Sequence, residues 1–153
     1  QTETPWYGGG PLTYTATTTA PTKANTPVVD KIRWKRSGTD IIVEFNYGHD
    51  VVTGASNGLG TYGIKVPNNL TIDTTNLVAT TSTSNTELGT VLGNGHINVN
   101  GTQNGCSVML YDSQHVFLTN YVGNKIDNAV GNLGGATIDH LGTYRAPILG
   151  WDE

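Results

Sequence analysis

The chain has 153 residues, which suits one domain with a single core, and a net charge of −4 with only 13% of its residues charged. This balance excludes a general nucleic-acid-binding protein, because such a protein needs a strong positive field over one face. A single cysteine, Cys106, excludes an intrachain disulfide, and no segment reaches the roughly 18 apolar residues of a membrane-spanning helix. We therefore expect no nucleic-acid partner and no membrane insertion.

Residues 1–27 are expected to form an extended N-terminal arm. Their sequence, QTETPWYGGGPLTYTATTTAPTKANTP, combines three consecutive glycines, four prolines and many threonines, a composition that favours extended or irregular backbone. Trp6, Tyr7 and Tyr14 are the expected anchors, because an aromatic ring buries a large area at a small cost in rotamer entropy. Two interpretations stay open: the anchors contact a partner subunit, or the arm lies back on its own domain.

Residues 28–153 are expected to form one antiparallel β-sandwich, jelly-roll-like in architecture. The segment KIRWKRSGTDIIVEFNY, residues 31–47, alternates on both sides of a turn and predicts a hairpin, with Trp34, Ile41, Val43 and Phe45 directed to the core. Turns rich in Gly and Asn separate further short runs, and the total is seven to nine strands. These runs lie at 61–66, 76–81, 88–93, 95–100, 106–112, 115–122 and 143–149.

The first strand of this hairpin carries a row of cations, Lys31, Arg33 and Lys35, opposite the core-facing positions. A half-buried antiparallel strand presents such a row to solvent, and long cations also protect an edge against unwanted pairing. The alternative is a seat for an anion, an acidic glycan or an acidic partner subunit. Glu44, across the hairpin, is expected to neutralise part of the row.

Catalytic and metal-binding patterns are weak in this sequence. The four histidines lack zinc-site spacing, and His49–Asp50 and Asp139–His140 form a metal site only if the fold brings them together. Cys106 lies in an apolar run and is expected to fill the core. Most of the candidate carboxylates fall in turns, where Asp caps its own backbone, so we expect neither an enzyme nor a cofactor. The candidates are Glu44, Asp50, Asp73, Glu87, Asp112, Asp127 and Asp139.

Three segments resemble the distal domains of bacteriophage tail fibres and tailspikes and the related trimeric capsid decoration proteins. They are WKRSGTDIIVEFNY (34–47), similar to a Trp-x-Arg-x-Gly-Asp-x-x-x-Val hairpin, GTYGIKVPNNLTIDTTNL (60–77), and the closing APILGW (146–151). Two turns depart from the family pattern: Ser37-Gly38-Thr39-Asp40 replaces a direct Gly-Asp, and Pro67-Asn68-Asn69 replaces Pro-x-Gly. These departures concern the shape of loops and leave the strands intact.

The resemblance implies a homotrimeric, non-enzymatic β-sandwich on the outer surface of a virion. The first expected function is a capsid decoration, or cement, subunit that braces the shell, contacts the major capsid protein through the arm and also meets host surface polysaccharide. The alternative is the distal receptor-binding head of a fibre. In that interpretation Gln1, which stands where a Met would begin a chain, marks a cut from an upstream shaft. A carbohydrate-binding module or a glycosidase is the third expectation and has no site residues in its support.

Overall fold

The computed structural model describes residues 3–77, 90–120 and 124–152, in which nine antiparallel strands form one sheet. The strand order is β1-β3-β4-β9-β6-β7-β8-β5-β2, so the all-β antiparallel prediction is confirmed. The predicted runs at 76–81, 88–93 and 115–122 extend into residues outside the described ranges, and Glu87 lies outside them. The strands are β1 (Tyr7–Gly10), β2 (Tyr14–Ala16), β3 (Val29–Ser37), β4 (Asp40–His49), β5 (Tyr62–Lys65), β6 (Val91–Val99), β7 (Thr102–Asp112), β8 (His115–Asn120) and β9 (Ile138–Pro147).

The sheet curls around a single core, because the inward-facing side chains of eight strands, β2 to β9, pack in one cluster. Ile41, Val43 and Phe45 are buried in this core. Trp34 is not at its centre: it is half-buried and packs against the margin of the cluster. Its ring packs on Tyr7 and Trp151, which themselves reach the surface, whereas Ile32, two positions earlier on the same face, is buried.

The β3–β4 hairpin has the register that alternation predicts. Ser37 pairs with Asp40 across a two-residue loop, and Gly38 adopts a φ of 62°. A positive φ at the first loop position favours glycine and matches the right-handed twist of the flanking strands. Ser37-Gly38-Thr39-Asp40, the first of the two departures from the resembled pattern, therefore builds a tight reversal.

The other departure, Pro67-Asn68-Asn69, forms a single 3-10 turn over Pro67–Asn69. Asn68 and Asn69 have φ values of 61° and 53°, a left-handed conformation that asparagine tolerates better than most residues. A second 3-10 turn covers Thr74–Asn76. Within the described ranges, no helix is long and apolar enough to span a membrane.

The N-terminal segment runs from one end of the sheet to the other. β1 pairs with β3 and β2 pairs with β5, which are near opposite ends of the strand order. Between them Leu12 is buried, its amide donates to Asp30 Oδ1 at 2.8 Å, and its carbonyl accepts from Lys23 Nζ at 2.7 Å. The described part of the segment predicted as an extended arm, residues 3–27, thus lies along its own domain.

Candidate functional site

A depression of about 600 Å³ lies on the outward face of β3, β4, β9 and β6, and we call it the outer groove. The register of these strands lines up two cross-strand rows of side chains in the groove. One row is Arg33, Glu44, Thr143 and Asn94, and the next is Lys31, Asn46, Leu141 and His96. We call the lining side chains of β3 one wall of the outer groove and those of β9 and β6 the other wall, with β4 between them in the strand order.

The cations of β3 differ in how they are paired. Arg33 Nε donates to Glu44 Oε1 at 2.7 Å, and Lys35 Nζ contacts Glu3 Oε1 at 3.1 Å. Lys31 makes no ion pair among the described residues and is exposed. The predicted row therefore has two neutralised members and one available charge, at the margin of the outer groove.

The amide and hydroxyl groups of the outer groove are also uncommitted. Within the described part of the chain, the side chains of Asn46, Asn94 and Thr143 make no hydrogen bond, and Asn46 Oδ1 is a buried oxygen without a partner. Because this oxygen has almost no accessible surface, the part of the Asn46 side chain that can meet a ligand is its Nδ2 amide. His96 Nε2 and Gln103 Oε1 are 3.0 Å apart beside these groups.

The exposed aromatic side chains lie at the β1 end of the sheet. Trp6 is 36% exposed and Tyr7 is 42% exposed, whereas Tyr14, the third predicted anchor, is buried in the core. Arg33 lies over the Trp6 ring at 4.2 Å and Lys35 at 5.2 Å, which is cation–π geometry. Two of the predicted partner-contact residues are thus on the surface, and Tyr14 has a structural role inside.

A second aromatic group continues from β1 to the C-terminus. Tyr7 and Trp34 have ring centroids 4.8 Å apart, Trp34 and Trp151 are 6.1 Å apart, and Arg36 covers the Trp151 ring at 4.8 Å. We call Trp6, Tyr7, Trp34 and Trp151 the aromatic edge. All three tryptophans of the chain belong to it, although they come from distant parts of the sequence.

The buried histidines form a hydrogen-bond network with tyrosines. His140 Nε2 donates to the Gly131 carbonyl at 3.0 Å, so its Nδ1 accepts from the Tyr14 hydroxyl at 2.9 Å. His49 repeats this pattern, with Nε2 donating to the Gly135 carbonyl at 2.7 Å and Nδ1 accepting from Tyr47 at 2.8 Å. Both imidazoles use both ring nitrogens, and the network fastens the loop before β9 to the sheet.

Burial shifts the pKa values within this network. Desolvation lowers the pKa of His140 to about 4, and it raises the pKa of the Tyr14 hydroxyl well above its ordinary value. Neutral imidazole and neutral phenol are the forms that the hydrogen bonds require. Among the described residues, no group of three or more His, Cys, Asp and Glu side chains is arranged to hold a metal ion.

The remaining candidates for chemistry have local roles. Asp127 accepts from the amides of Ala129 and Val130 at 2.9 and 2.8 Å, and Asp73 caps the second 3-10 turn. Hydrogen bonds from Thr75 and Asn76 lower the pKa of the Asp73 carboxyl. Asp112 contacts His115 at 2.8 Å, Asp139 contacts Asn98 at 3.3 Å, and Asp50 is exposed in the loop after β4.

Cys106 is buried in β7, where desolvation raises the pKa of its thiol to about 11. A thiol with so high a pKa carries almost no thiolate at neutral pH and is a poor nucleophile.

The sequence identified one wall of the outer groove and missed the other. Lys31 and Arg33 were recognised from their row, but Asn94, His96 and Thr143 join them only through the pairing of β4 with β9 and of β9 with β6. No local signal in the sequence specifies that pairing. No protein-family model, no curated protein and no solved structure matches the chain.

Proposed function

We propose that the protein is a non-enzymatic structural protein of the bacteriophage virion surface, a trimeric capsid decoration subunit that braces the shell. The observation that carries this proposal is the aromatic edge beside β1. β1 is an edge strand of four residues without a charged side chain, Tyr7 is exposed on it, and Trp6 is exposed immediately before it. Unprotected strand edges pair readily with other chains, and Trp, Tyr and Arg are enriched where proteins bind each other.

Exposed apolar surface near the aromatic edge supports the same function. Leu149 is 63% exposed and lies two residues before Trp151. Arg33 and Lys35 lie over Trp6, so a partner meets flat rings together with cations. This combination suits the core of a protein–protein contact, in which a few aromatic and arginine side chains supply most of the binding energy.

Binding to particles that lack the subunit tests this function. The double change Trp6→Ala and Tyr7→Ala should reduce docking onto such particles at least tenfold while the melting temperature stays within a few degrees. Leu59→Ala, at a half-exposed apolar side chain away from the aromatic edge, is the matched control and should dock normally. Normal docking of the double variant, or a monomer by sedimentation of the wild type, would contradict the proposal.

A second candidate is the distal receptor-binding head of a fibre, which recognises host surface polysaccharide. The observation in its favour is the outer groove, with its uncommitted amides, hydroxyl and lysine. Groups of this kind bind the hydroxyls of sugars. A glycan array probed with the whole chain tests it, and silence across host polysaccharides would count against it.

A further inference from the structure

The outer groove has the volume and the mixed apolar and polar lining of a small-ligand site. Its volume of about 600 Å³ falls within the ~300–1,000 Å³ range of small-molecule sites. Apolar atoms of Val29 and Leu141 line it together with the polar groups of the two rows. It lies across four strands, and at a spacing of about 4.8 Å per strand the rows extend on the order of 14 Å.

We propose that the outer groove binds a short oligosaccharide that carries a carboxylate, with Lys31 as the group that recognises the acid. This inference rests on the second candidate above, glycan recognition, and names its ligand class and its site.

Among the described charged residues that line the outer groove, the available charge is positive, and Asp139, in the next row of the same face, accepts from Asn98 at 3.3 Å. Arg33 and Glu44 neutralise each other, and Lys31 remains without an ion pair among the described residues. An ammonium that binds a carboxylate makes a charge-assisted hydrogen bond, which is stronger than a neutral one. With one lysine available, one carboxylate of the ligand is expected to be recognised at this position.

The uncommitted amides and hydroxyl match a ligand rich in hydroxyl groups. Asn94 and Thr143 offer both donors and acceptors, and Asn46 offers its Nδ2 donor, without giving up a bond inside the described protein. Asn46 lies between Lys31 and Leu141 in its row, so its amide is adjacent to the proposed carboxylate position. A sugar hydroxyl donates and accepts at once, which satisfies an amide in either orientation.

An extended acidic peptide fits the outer groove less well. Peptides that bind sheets add to an edge, where main-chain groups are unpaired. β4, β9 and β6 are paired on both sides, and β3 is paired with β1 over Ile32–Trp34, so the described strands lack a ladder partner only along Val29–Lys31, at the margin of the groove. Recognition here has to use side chains, and these are chiefly amides and hydroxyls.

The test uses the whole chain and isothermal titration calorimetry. The probes are tetramers of glucuronic, galacturonic and mannuronic acid, each paired with the same tetramer after reduction of its carboxylates to primary alcohols. We expect at least one acid tetramer to bind at least tenfold more tightly than its reduced form. We expect Lys31→Gln to remove that preference and Lys65→Gln, a change of the same kind on β5, to preserve it.

Other outcomes overturn the inference in distinguishable ways. If an acid tetramer and its reduced form bind with equal affinity, Lys31 does not recognise the carboxylate, although the protein still binds a glycan. If none of the six tetramers binds at millimolar concentration, the outer groove is rejected as their binding site. The glycan array then remains the test of glycan recognition. Equally tight binding of a tetraglutamate peptide shows that the groove recognises charge rather than sugar. Asn94→Ala with Thr143→Val should weaken the acid and the reduced tetramers alike, and an unchanged affinity places the sugar elsewhere.

Discussion

Tyr14 and His140 lie 126 positions apart in the chain and are joined by a buried hydrogen bond of 2.9 Å between the Tyr14 hydroxyl and His140 Nδ1. Because the same imidazole donates to the Gly131 carbonyl, one side chain connects the N-terminal segment, β9 and the loop that precedes it. The bond requires a neutral imidazole. Stability and pH are therefore coupled at this position.

The first prediction concerns the free energy of unfolding at mildly acidic pH. Burial, the largest cause, lowers the pKa of His140 from 6.5 to about 4 in the folded chain. Between these two values the unfolded chain binds a proton that the folded chain does not, so stability falls as the pH drops from 6.5 towards 4. The His140 contribution is complete above pH 6.5 and amounts to about 3 kcal/mol at most, at 1.36 kcal/mol per pKa unit.

Urea unfolding from pH 7.5 to pH 4.5 measures this contribution, and histidine variants separate it from the carboxylates. His140→Gln should be less stable at neutral pH but should lose much of the pH slope. His96→Gln, at a histidine that lies outside the core on β6, should keep the wild-type slope. Parallel slopes for the wild type and His140→Gln would show that His140 is not the group that titrates.

Removing the Tyr14 hydroxyl should also destabilise the protein. Tyr14→Phe keeps the ring in the core but leaves His140 Nδ1 as a buried acceptor without a donor, at a cost of about 1–3 kcal/mol. Tyr111→Phe, at a half-exposed tyrosine on β7, should change stability by less than about 0.5 kcal/mol. Chemical denaturation of both variants at pH 7.5 checks the difference, and equal stabilities would mean that the hydrogen bond contributes nothing.

Sequence periodicity identified the β3–β4 hairpin because alternation is a local property of the chain. Ile41, Val43 and Phe45 could be assigned to one face for that reason, and they are buried. The outer groove could not be assembled in this way, since Glu44 meets Thr143 through a pairing about a hundred residues distant. Local patterns specify which face a side chain occupies, but the order of strands depends on packing of the whole core.

The N-terminal segment shows a different reason for failure. Glycine, proline and threonine obscure the alternation, so β1 and β2 were not predicted within residues 1–27. The burial of Leu12 and Tyr14, two positions apart on either side of exposed Thr13, is the period-two signal that the composition concealed. Their burial depends on strands β3 and β5, which no local feature of the segment identifies.

Trp34 offers a test of its position at the margin of the core. Trp34→Ala removes ring contacts with Tyr7 and Trp151, and we expect a loss of about 2 kcal/mol, because a fully buried aromatic costs ~3–5 kcal/mol and Trp34 is half-buried. Phe45→Ala, although its side chain is smaller, should cost ~3–5 kcal/mol because Phe45 is buried. Thermal and urea unfolding rank the two, and a larger loss for Trp34→Ala would place that indole in the core.

A triple variant of the cation row tests whether Lys31, Arg33 and Lys35 only face solvent or also bind a partner. Changing Lys31, Arg33 and Lys35 together to Gln should alter the free energy of unfolding by less than about 1 kcal/mol, because both ion pairs reach solvent: Arg33 and Glu44 are 44% and 45% exposed, and Lys35, 23% exposed, pairs with a Glu3 that is 58% exposed. Particle docking and oligosaccharide titration of the same variant show whether the row acts in recognition. A collapse in stability would mean that the ion pairs with Glu44 and Glu3 hold the sheet together, contrary to their exposure.

Two adjacent glycines of β1 test the path of the N-terminal segment. A Cβ at Gly9 would lie 2.8 Å from Ile32 Cγ2 and 3.1 Å from Pro67 Cβ, whereas a Cβ at Gly8 would have no neighbour within 4 Å. Ile32 is buried and β-branched, so it has little freedom to move aside. Gly9→Ala should therefore destabilise the protein by about 1–3 kcal/mol through overpacking.

Gly8→Ala should have the opposite sign. Gly8 does not occupy the left-handed region, so alanine fits the folded backbone and restricts the unfolded chain, which stabilises a protein by about 0.4–1 kcal/mol. Urea unfolding of the two variants compares the same chemical change at neighbouring positions. If the segment were detached from the domain, the two substitutions would change the free energy of unfolding equally. Equal changes would therefore contradict the packing of β1 against β3. Opposite signs are expected only if Gly9 faces Ile32 and Pro67.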